Sequence, residues 1–283
     1  MAAIRVIACG SAGYPASLED LPQPPSQLFA IGDLSAFDAP LVSIVGTREP
    51  TPYGLRTARA LAGALARAGV NVVSGMARGI DSVAHRAALE GGQKTIAVLG
   101  TGVDVPYPVG HRELHRVIGE RGLVISESGS GARAHKGVFP RRNRIIAALG
   151  KLTIVVEAGH KSGALNTASH ALDLGRPVAA VPGPIDSPQS EGTNRLIRDG
   201  ALAISSIADV LALAGVDSAG QAEPVQLSGA DALVWSALGG ETMIPDSIAV
   251  RTMLSTRECL TAITSLELMG MVECLITGEV RRR

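Results

Sequence analysis

Short apolar runs and helical patterns alternate from residue 41 to residue 183, and this alternation restricts the fold more than any other feature of the chain. The runs are rich in Val, Ile and Leu, as parallel strands are when helices cover both faces of their sheet. The sequence therefore predicts an α/β fold with an extended Rossmann-like, doubly wound, mostly parallel sheet. The predicted strands are 41–46, 70–75, 94–100, 123–127, 152–159 and 177–183, and the predicted helices are 54–69, 80–92, 110–121, 141–150 and 164–175.

The segments on either side of this alternation have a different character. Residues 1–40 are rich in Pro, and we expect an N-terminal extension that packs on the sheet with one strand near residues 4–8. Residues 41–215 would form the Rossmann-like domain, and residues 216–229 have linker composition. Residues 230–283 predict a C-terminal winged-helix domain. Its helices are predicted at 230–238, 245–253 and 255–270, followed by a hairpin around Thr277 and Gly278.

The charge balance removes the simplest argument for a nucleic-acid partner. The chain holds 26 Lys and Arg and 26 Asp and Glu, so its formal net charge is zero, and a nucleic acid would need a local basic patch. Cys9, Cys259 and Cys274 show neither zinc-type nor disulfide-framework spacing, which favours a reducing cytoplasm and no structural metal. We expect no signal peptide, and without a run of roughly 18 apolar residues no membrane span is predicted.

Glycine and hydroxyl residues recur in the loops that follow the predicted strands. Gly46, Thr47 and Arg48 follow the first strand, and Ser74 and Gly75 follow the second. In an open α/β sheet, ligands bind at this carboxyl edge, where backbone N–H groups can approach a phosphate closely. The patterns GxGxxG and GxxxxGK[ST] are missing, so no NAD or ATP cofactor is predicted. The loops indicate an anion-binding edge, against the alternative that the glycines serve only tight turns.

A basic cluster surrounds Phe139, one of only three phenylalanines in the chain. Between Arg133 and Arg144 there are five Lys or Arg residues and no Asp or Glu, and Lys161 follows the next strand. Proteins that bind single-stranded nucleic acid without sequence preference stack its bases on aromatic rings and place cations along its backbone. Spacing alone leaves a second interpretation equally open, in which the arginines form a solvated helix face and Phe139 anchors the core.

Candidate catalytic groups have weaker support. Asp81 and His85 stand four residues apart on a predicted helix, but a helix cap and a packed histidine account for them better. Glu127 and Glu157 are predicted to end adjacent strands, where they could form a carboxylate pair, but they are interpreted as partners for arginines or loop amides. Ser162 lacks the context of a nucleophile elbow, and the histidines lack metal-binding spacing. We therefore predict no catalytic residue and no metal ligand.

Several motifs resemble those of the DprA/Smf family, the bacterial DNA-processing protein. They include IVGTREPTPYG, SGMARGIDSVAH, AVLGTGVDVPYP, FPRRNRIIAAL and VVEAGHKSGALNTASHA, and the resemblance runs from Tyr14 to Leu211. The C-terminal segment looks like the winged-helix domain that many members carry. Many members also begin with a helical SAM-like domain, which we expect this chain to lack. The resemblance implies a non-enzymatic homodimer that binds single-stranded DNA and loads the RecA recombinase during natural transformation.

The resemblance also implies roles for individual residues. Gly46 to Arg48 and Ser74 with Gly75 would line phosphate-facing loops, and Phe139 would lie beside the DNA. Arg142 and Arg144 are favoured as DNA contacts, whereas Arg141 is interpreted as a solvated neighbour. The predicted DNA-binding residues are Gly46, Thr47, Arg48, Ser74, Gly75, Lys136, Phe139, Arg142, Asn143, Arg144, Lys161 and Ser162.

Two other functions stay open at this point. The fold of the family is similar to that of lysine-decarboxylase-like phosphoribohydrolases, so the alternative is a nucleotide-binding enzyme that uses the same sheet edge. Those enzymes carry a PGGxGTxxE segment, whereas this chain reads AGHKSGALNTASHA without PGG or the Glu. A sequence-specific regulator would use a recognition helix near residues 256–268, where Glu258 and Glu267 beside Arg257 disfavour a phosphate-rich groove.

Overall fold

The computed structural model describes residues 3–135, 137–216, 227–239, 241–268, 271–275 and 277–282. The chain divides into two compact units, Met1–Gln221 and Ala222–Arg283. Most of the predicted linker at 216–229 lies outside the described residues, and so does Lys136. The domain boundaries inferred from composition therefore stay predictions.

Among the described residues of the first unit, nine strands form one sheet. They are β1 Arg5–Ala8, β2 Gln27–Gly32, β3 Leu41–Val45, β4 Asn71–Ser74, β5 Thr95–Leu99, β6 Leu123–Ser126, β7 Leu152–Val155, β8 Val178–Ala180 and β9 Leu202–Ala203. Their order is β1-β2-β6-β5-β4-β3-β7-β8-β9, and every pair from β6 to β9 is parallel. The chain fills the sheet from β3 outward to β6 and then returns to the other side of β3. This reversal opens a crevice at the carboxyl ends of β3 and β7, and the predicted fold class is confirmed.

Seven α-helices flank the sheet in the described residues of this unit. The helices are α1 Pro52–Arg67, α2 Ile80–Glu90, α3 Arg112–Arg121, α4 Val138–Leu149, α5 Gly163–Asp173, α6 Glu191–Arg198 and α7 Ile207–Leu213. α1 begins after Thr51, whose side chain accepts the N–H of Gly54, and Pro52 occupies the first turn, where no N–H donor is needed. α4 begins three residues before its predicted start, after Gly137 in the left-handed region, so Phe139 lies in its first turn.

Alternate residues of β3 enter two separate cores, as a strand buried on both faces requires. Leu41 and Val45 of β3 join an apolar cluster with residues of α4 and α5. Val42 and Ile44 of the same strand join a second cluster with residues of α1, α2 and α7. α4 is therefore held by one face of the sheet, with its first turn at the carboxyl edge.

The N-terminal extension contributes more to the sheet than the sequence predicts. The expected strand near residues 4–8 is present as β1, but β2 was not predicted. β2 pairs antiparallel with both β1 and β6, so residues of the extension complete one side of the sheet. Its alternating pattern of buried and partly buried residues fits an antiparallel strand that is less enclosed than the central ones.

The second unit has the helices and the hairpin expected of a winged helix. Its elements are α8 Gly229–Leu238, α9 Pro245–Thr252, α10 Thr256–Leu268, β10 Val272–Cys274 and β11 Val280–Arg282. β10 and β11 pair antiparallel, and Met243 bridges to Val280. Val234, Leu238 and Ile263 lie in the small apolar core between these elements. Within the described residues of both units, no helix combines the length and the apolar character needed to cross a membrane.

Gly54→Ala should destabilise the protein, although Ala favours helices over Gly. A Cβ at Gly54 would clash with the carboxylate of Glu157, which is buried and accepts the N–H of Thr51 at 2.9 Å. We expect a loss of about 1–3 kcal/mol in the free energy of unfolding, measured by urea titration.

Gly63→Ala in the same helix is the matched control, because its Cβ would meet only the flexible guanidinium of Arg67 at 3.3 Å. This control should gain up to about 1 kcal/mol. Equal stabilisation by both substitutions would contradict the packing of Glu157 against α1.

Candidate nucleic-acid interface

The crevice between the ends of β3 and β7 forms a cavity of about 540 Å³. The loop after β3, the loop after β7 and the first turns of α4 and α5 all contribute to its walls. The crevice thus brings together residues from three predicted loops, as expected for the switch point of a doubly wound sheet. Its lining includes Gly46, Thr47, Arg48, Asn143, Lys161 and Ser162, all of them predicted site residues.

The N-terminus of α5 opens into this crevice. Ser162 caps the helix, and its hydroxyl accepts the N–H of Ala164 at 3.3 Å. Asn143 of α4 donates its amide to the carbonyl of Gly163 and to the side chain of Asn166, each at 3.2 Å. Lys161 is exposed at the same place. A helix N-terminus carries partial positive charge and free N–H donors, so this corner attracts anions.

The N-terminus of α1, by contrast, already interacts with a carboxylate of the protein itself. Glu157 is buried there and accepts both the N–H and the hydroxyl of Thr51. The sequence placed Glu157 and Glu127 on adjacent strands, and this is wrong: β5, β4 and β3 separate β6 from β7. The two carboxylates therefore do not form a pair. Their contacts are with loop amides and arginines, as the other interpretation proposed.

Phe139 forms the wall between the crevice and a neighbouring pocket of about 350 Å³. Its ring stacks on Tyr107, with ring centroids 5.1 Å apart and planes inclined by 30°. The guanidinium carbon of Arg48 lies 5.8 Å from the centre of the same ring, within range of a cation–π interaction. Phe139 is half-buried and belongs to none of the apolar clusters found among the described residues. It is not the core anchor that spacing alone left open.

Arg142 departs from its predicted role as a DNA contact. The residue is only 5% exposed, and its guanidinium donates to the carbonyls of Gly75, at 2.7 Å, and Val98. Burial lowers the pKa of Arg142 to about 10, and the charge of Arg48 acts in the same direction, while Asp81 opposes them. The prediction of direct contact is therefore corrected: Arg142 braces the loops after β4 and β5 from beneath.

Asp81 and His85 do not form a catalytic pair. Asp81 accepts the N–H groups of Gly75, at 3.1 Å, and Ala77, at 3.3 Å, and burial raises its pKa despite the nearby Arg142. Thr95 donates its hydroxyl to a backbone carbonyl, so it accepts the Nδ1 proton of His85 at 2.7 Å. Burial, followed by the charge of Arg142, lowers the pKa of His85 to about 3 and keeps the ring neutral.

Arg144 and Arg141 have exchanged the roles that the sequence suggested. Arg144 is 13% exposed and forms an ion pair with Glu127 at 2.6 Å. Arg141 pairs with the same carboxylate at 3.2 Å, but its side chain is 70% exposed. Arg144 therefore anchors α4 to the end of β6, whereas Arg141, interpreted as a mere neighbour, is the more accessible cation.

Ser74 and Gly75 serve the shape of the loop rather than offering groups to a ligand. The Ser74 hydroxyl is buried and donates to the carbonyl of Ile44 at 2.6 Å, which corrects the prediction of a direct contact. A Cβ at Gly75 would lie 2.5 Å from the guanidinium of Arg142, so the glycine leaves the space that Arg142 occupies. Lys136 lies outside the described residues and stays a prediction.

Two residues of the edge were missed by sequence reasoning, Arg78 and Tyr107. Both line the pocket beside Phe139, and both are exposed. Among the residues that the structure describes, Arg48, Arg78 and Lys161 make no ion pair with a carboxylate, although each is exposed. Their positions in the sequence could have identified them, since each of the two missed residues follows a predicted strand.

The winged-helix unit offers little to a DNA groove. On α10, the hydroxyls of Thr261 and Thr264 donate to carbonyls of their own helix, at 2.8 and 3.0 Å. Glu258 interacts with Ser255 at the N-terminus of α10, where a phosphate would otherwise be favoured. In the hairpin, Arg281 pairs with Glu273 at 2.9 Å. These contacts disfavour a sequence-specific regulator.

Models of two protein families match this chain. The family described as DNA recombination-mediator protein A matches residues 5–215, and the DprA winged helix domain matches residues 218–275. A putative DNA processing protein DprA from Mycobacterium tuberculosis is 42% identical over 240 residues, which cover 82% of this chain and 62% of that relative. This chain thus spans less than two thirds of that relative's length. Protein Smf of Escherichia coli is 36% identical over 292 residues, covering 99% of this chain and 78% of the relative.

Among the solved structures that resemble this chain, two are more than a quarter identical to it. DNA processing protein A from Streptococcus pneumoniae has a TM-score of 0.71 at 41% identity and covers 74% of each chain. The protein from Helicobacter pylori has a TM-score of 0.68 at 32% identity, covering 75% of this chain and 96% of that one. The latter structure is described as giving insights into the unique single-stranded DNA binding mode of DNA processing protein A.

Arg142→Ala should lower the free energy of unfolding by about 3–5 kcal/mol, because it removes a buried charge, leaves the carbonyls of Gly75 and Val98 without their donor and takes away the positive charge near Asp81. Arg141→Ala on the same helix is the control and should cost only about 0–1 kcal/mol, since its ion pair is exposed. Chemical unfolding followed by circular dichroism measures both. A stable Arg142→Ala protein would show that the guanidinium does not brace the crevice.

Proposed function

The chain belongs to the DprA/Smf family of DNA-processing proteins, and we propose that it binds single-stranded DNA across the crevice between β3 and β7. The observation that carries this proposal is a set of exposed cations without ion-pair partners around a partly exposed aromatic pair. Arg48, Arg78 and Lys161 are the cations, and Phe139 and Tyr107 are the rings. Cations beside stacking rings suit a strand whose phosphates and bases are both accessible.

The phosphates would lie along the crevice. The N-terminus of α5 supplies N–H donors and the cap of Ser162, and Lys161 and Arg48 supply charge from its two sides. The N-terminus of α1 is occupied by Glu157, so the anionic backbone would be directed to α5. Contacts to the phosphates alone carry no sequence preference, which fits a protein that acts on any single strand.

The Helicobacter pylori relative supports a single strand over a duplex as the ligand, because its structure is described by a single-stranded DNA binding mode. The pocket geometry agrees with this choice. A base can reach the ring of Phe139 only when it is unstacked from a duplex, and single strands offer such bases at low cost. Phe139 is half-buried at the shared wall of the two cavities, where one face of a base could rest.

We further propose that the protein acts without catalysis, as a cytoplasmic homodimer that loads RecA onto the bound strand during natural transformation. The carboxylates Asp81 and Glu157 hold backbone N–H groups, so neither is free to align on a ribose as a phosphoribohydrolase requires. Incubation with nucleoside monophosphates should release no free base. Release of free base that is lost with Asp81→Asn would support the enzyme instead.

Arg48→Ala and Lys161→Ala should each weaken binding to an oligothymidylate and reduce its salt dependence. Each loses one phosphate contact, so the slope of log K against log salt concentration should fall by about 0.7 for a single strand. Fluorescence anisotropy titrations at several salt concentrations measure this slope. Arg86→Ala is the control, because Arg86 is an exposed arginine on α2 outside the crevice lining.

Unchanged slopes in both crevice variants would sink the placement of the strand. The reverse arrangement, in which Arg142→Ala alone reduces the slope and leaves the fold intact, would restore the sequence prediction for that residue. The two results are distinct because Arg142 is buried and Arg48 is exposed.

The wild-type protein should shorten the lag before RecA hydrolyses ATP on DNA coated with single-strand-binding protein. The double variant Arg48→Ala/Lys161→Ala should not, because mediation requires the strand to be held in the crevice, and Arg86→Ala should behave as wild type. A coupled ATPase assay follows the lag. Equal acceleration by the double variant would separate RecA loading from the crevice and contradict the proposal.

A further inference from the structure

We propose that the outward face of α10, in the second unit, is a self-association surface on which a second copy of this chain docks with its own α10 antiparallel. The inference goes beyond the proposed single-strand binding, because it concerns the second unit alone, and it adds one contact between copies to the proposed homodimer. An open groove of about 530 Å³ marks this face. Its lining consists of Arg257, Leu260, Thr261, Thr264 and Ser265.

The middle of this face is uncharged and largely apolar. The opposite side of α10 is fully used by the core of its own unit, through Cys259, Ala262, Ile263 and Leu266. On the outward side, Leu260 is 47% exposed, and Thr261 and Thr264 are exposed beside it. The hydroxyls of both threonines donate to carbonyls of α10 itself, so their polar groups are satisfied and their methyl groups are left for an apolar neighbour.

The two ends of the face carry opposite charges that have no ion-pair partner among the described residues. Arg257 is exposed at the N-terminal end. At the other end, Ser265 donates its hydroxyl to the carboxylate of Asp231 on α8 at 2.8 Å. Neither Arg257 nor the partly exposed Asp231 forms an ion pair within the described part of the chain.

This arrangement of charges complements itself. Arg257 and Ser265 lie four residues before and four residues after Thr261, which separates them by about 12 Å along the helix axis. A two-fold axis at Thr261 makes two α10 helices antiparallel, and each Arg257 then faces the end with Ser265 and Asp231 in the other copy. The short side chains of Thr and Ser allow the helices to approach to the about 8–10 Å that packed helices require.

A second copy suits this face better than a DNA duplex does. Arg257 is the one cation in the lining of the groove, whereas a duplex is held by several phosphate contacts at once. Asp231 at the far end would repel a phosphate. A second copy, by contrast, pairs both charges and covers Leu260.

The test is disulfide trapping in the full chain, because a contact between two helices is small and a covalent bond captures a weak complex. Cys9 and Cys274, which are both exposed, are first replaced by Ser. Thr261→Cys should then give a covalent dimer on oxidation with copper phenanthroline, since the two-fold axis brings the two Cα atoms within the about 7 Å that a disulfide spans. Ser236→Cys, exposed on α8 and outside the groove, is the control and should give only background, as read on a non-reducing gel.

Charge reversal tests which groups meet across the contact. In the Thr261→Cys background, Arg257→Asp and Asp231→Arg should each lower the yield of dimer by about tenfold, because each places like charges opposite one another. The double reversal should restore the yield, because the two ends then attract with exchanged signs. Leu260→Lys should also lower it, whereas Leu233→Lys, at a side chain 48% exposed but outside the groove, should not. Circular dichroism verifies that each variant is folded.

Equal trapping at positions 261 and 236, or no rescue by the double reversal, would overturn the surface. Sedimentation equilibrium of the wild type distinguishes this failure from that of the proposed homodimer. A dimer that is not trapped through Thr261→Cys would leave the homodimer in place on another surface, whereas a monomer would remove both. Duplex binding that is lost with Leu260→Lys would assign the face to DNA and overturn the proposal.

Discussion

The buried guanidinium of Arg142 is the interaction on which the shape of the crevice depends. It reaches from α4 to the carbonyls of Gly75 and Val98, which lie at the ends of β4 and β5, and it faces Asp81 at the start of α2. A buried charge is tolerated only when polar partners surround it. A shift of any one element would remove a partner and leave the charge uncompensated in the low-dielectric interior. One side chain thus fixes three elements relative to each other, and the loops that they carry take a single arrangement.

Burial divides the cations of this edge into two groups with different tasks. Arg142 and Arg144 are held by carbonyls and by Glu127, so their guanidinium groups already have partners within the protein. Arg48 and Lys161 are exposed, and neither forms an ion pair with a carboxylate of the described residues, so both stay available to a phosphate. A chain of zero net charge can therefore attract a polyanion at one edge, because the local arrangement of charges, and not their sum, sets the field there.

The sequence predicts the parallel core well and the fate of individual side chains poorly. Strands buried on both faces leave near-continuous apolar runs, whereas β2 follows a proline-rich stretch, and its pairing with β6 is formed only in the tertiary structure. The burial of Arg142, however, could be predicted from the sequence. Ile145, Ile146 and Leu149 follow it by three, four and seven residues, so helical periodicity places all four on the inward face of α4. Motif resemblance assigned Arg142 and Arg144 the same role, whereas the period of the helix places Arg142 on the inward face.

The aromatic residues show why the remainder of the site needed the tertiary structure. Only 2% of the residues in this chain are aromatic. Phe139 and Tyr107 nevertheless contact each other at this edge, although 32 positions separate them in the sequence. Tyr107 belongs to a loop whose course is set by hydrogen bonds to residues 130–132, not by any local pattern. Periodicity predicts helices and strands, but it does not predict which two loops will lie side by side. The contact follows from the sheet order, because β5 and β6 are neighbours and the loops that leave their carboxyl ends must pack together beside the first turn of α4.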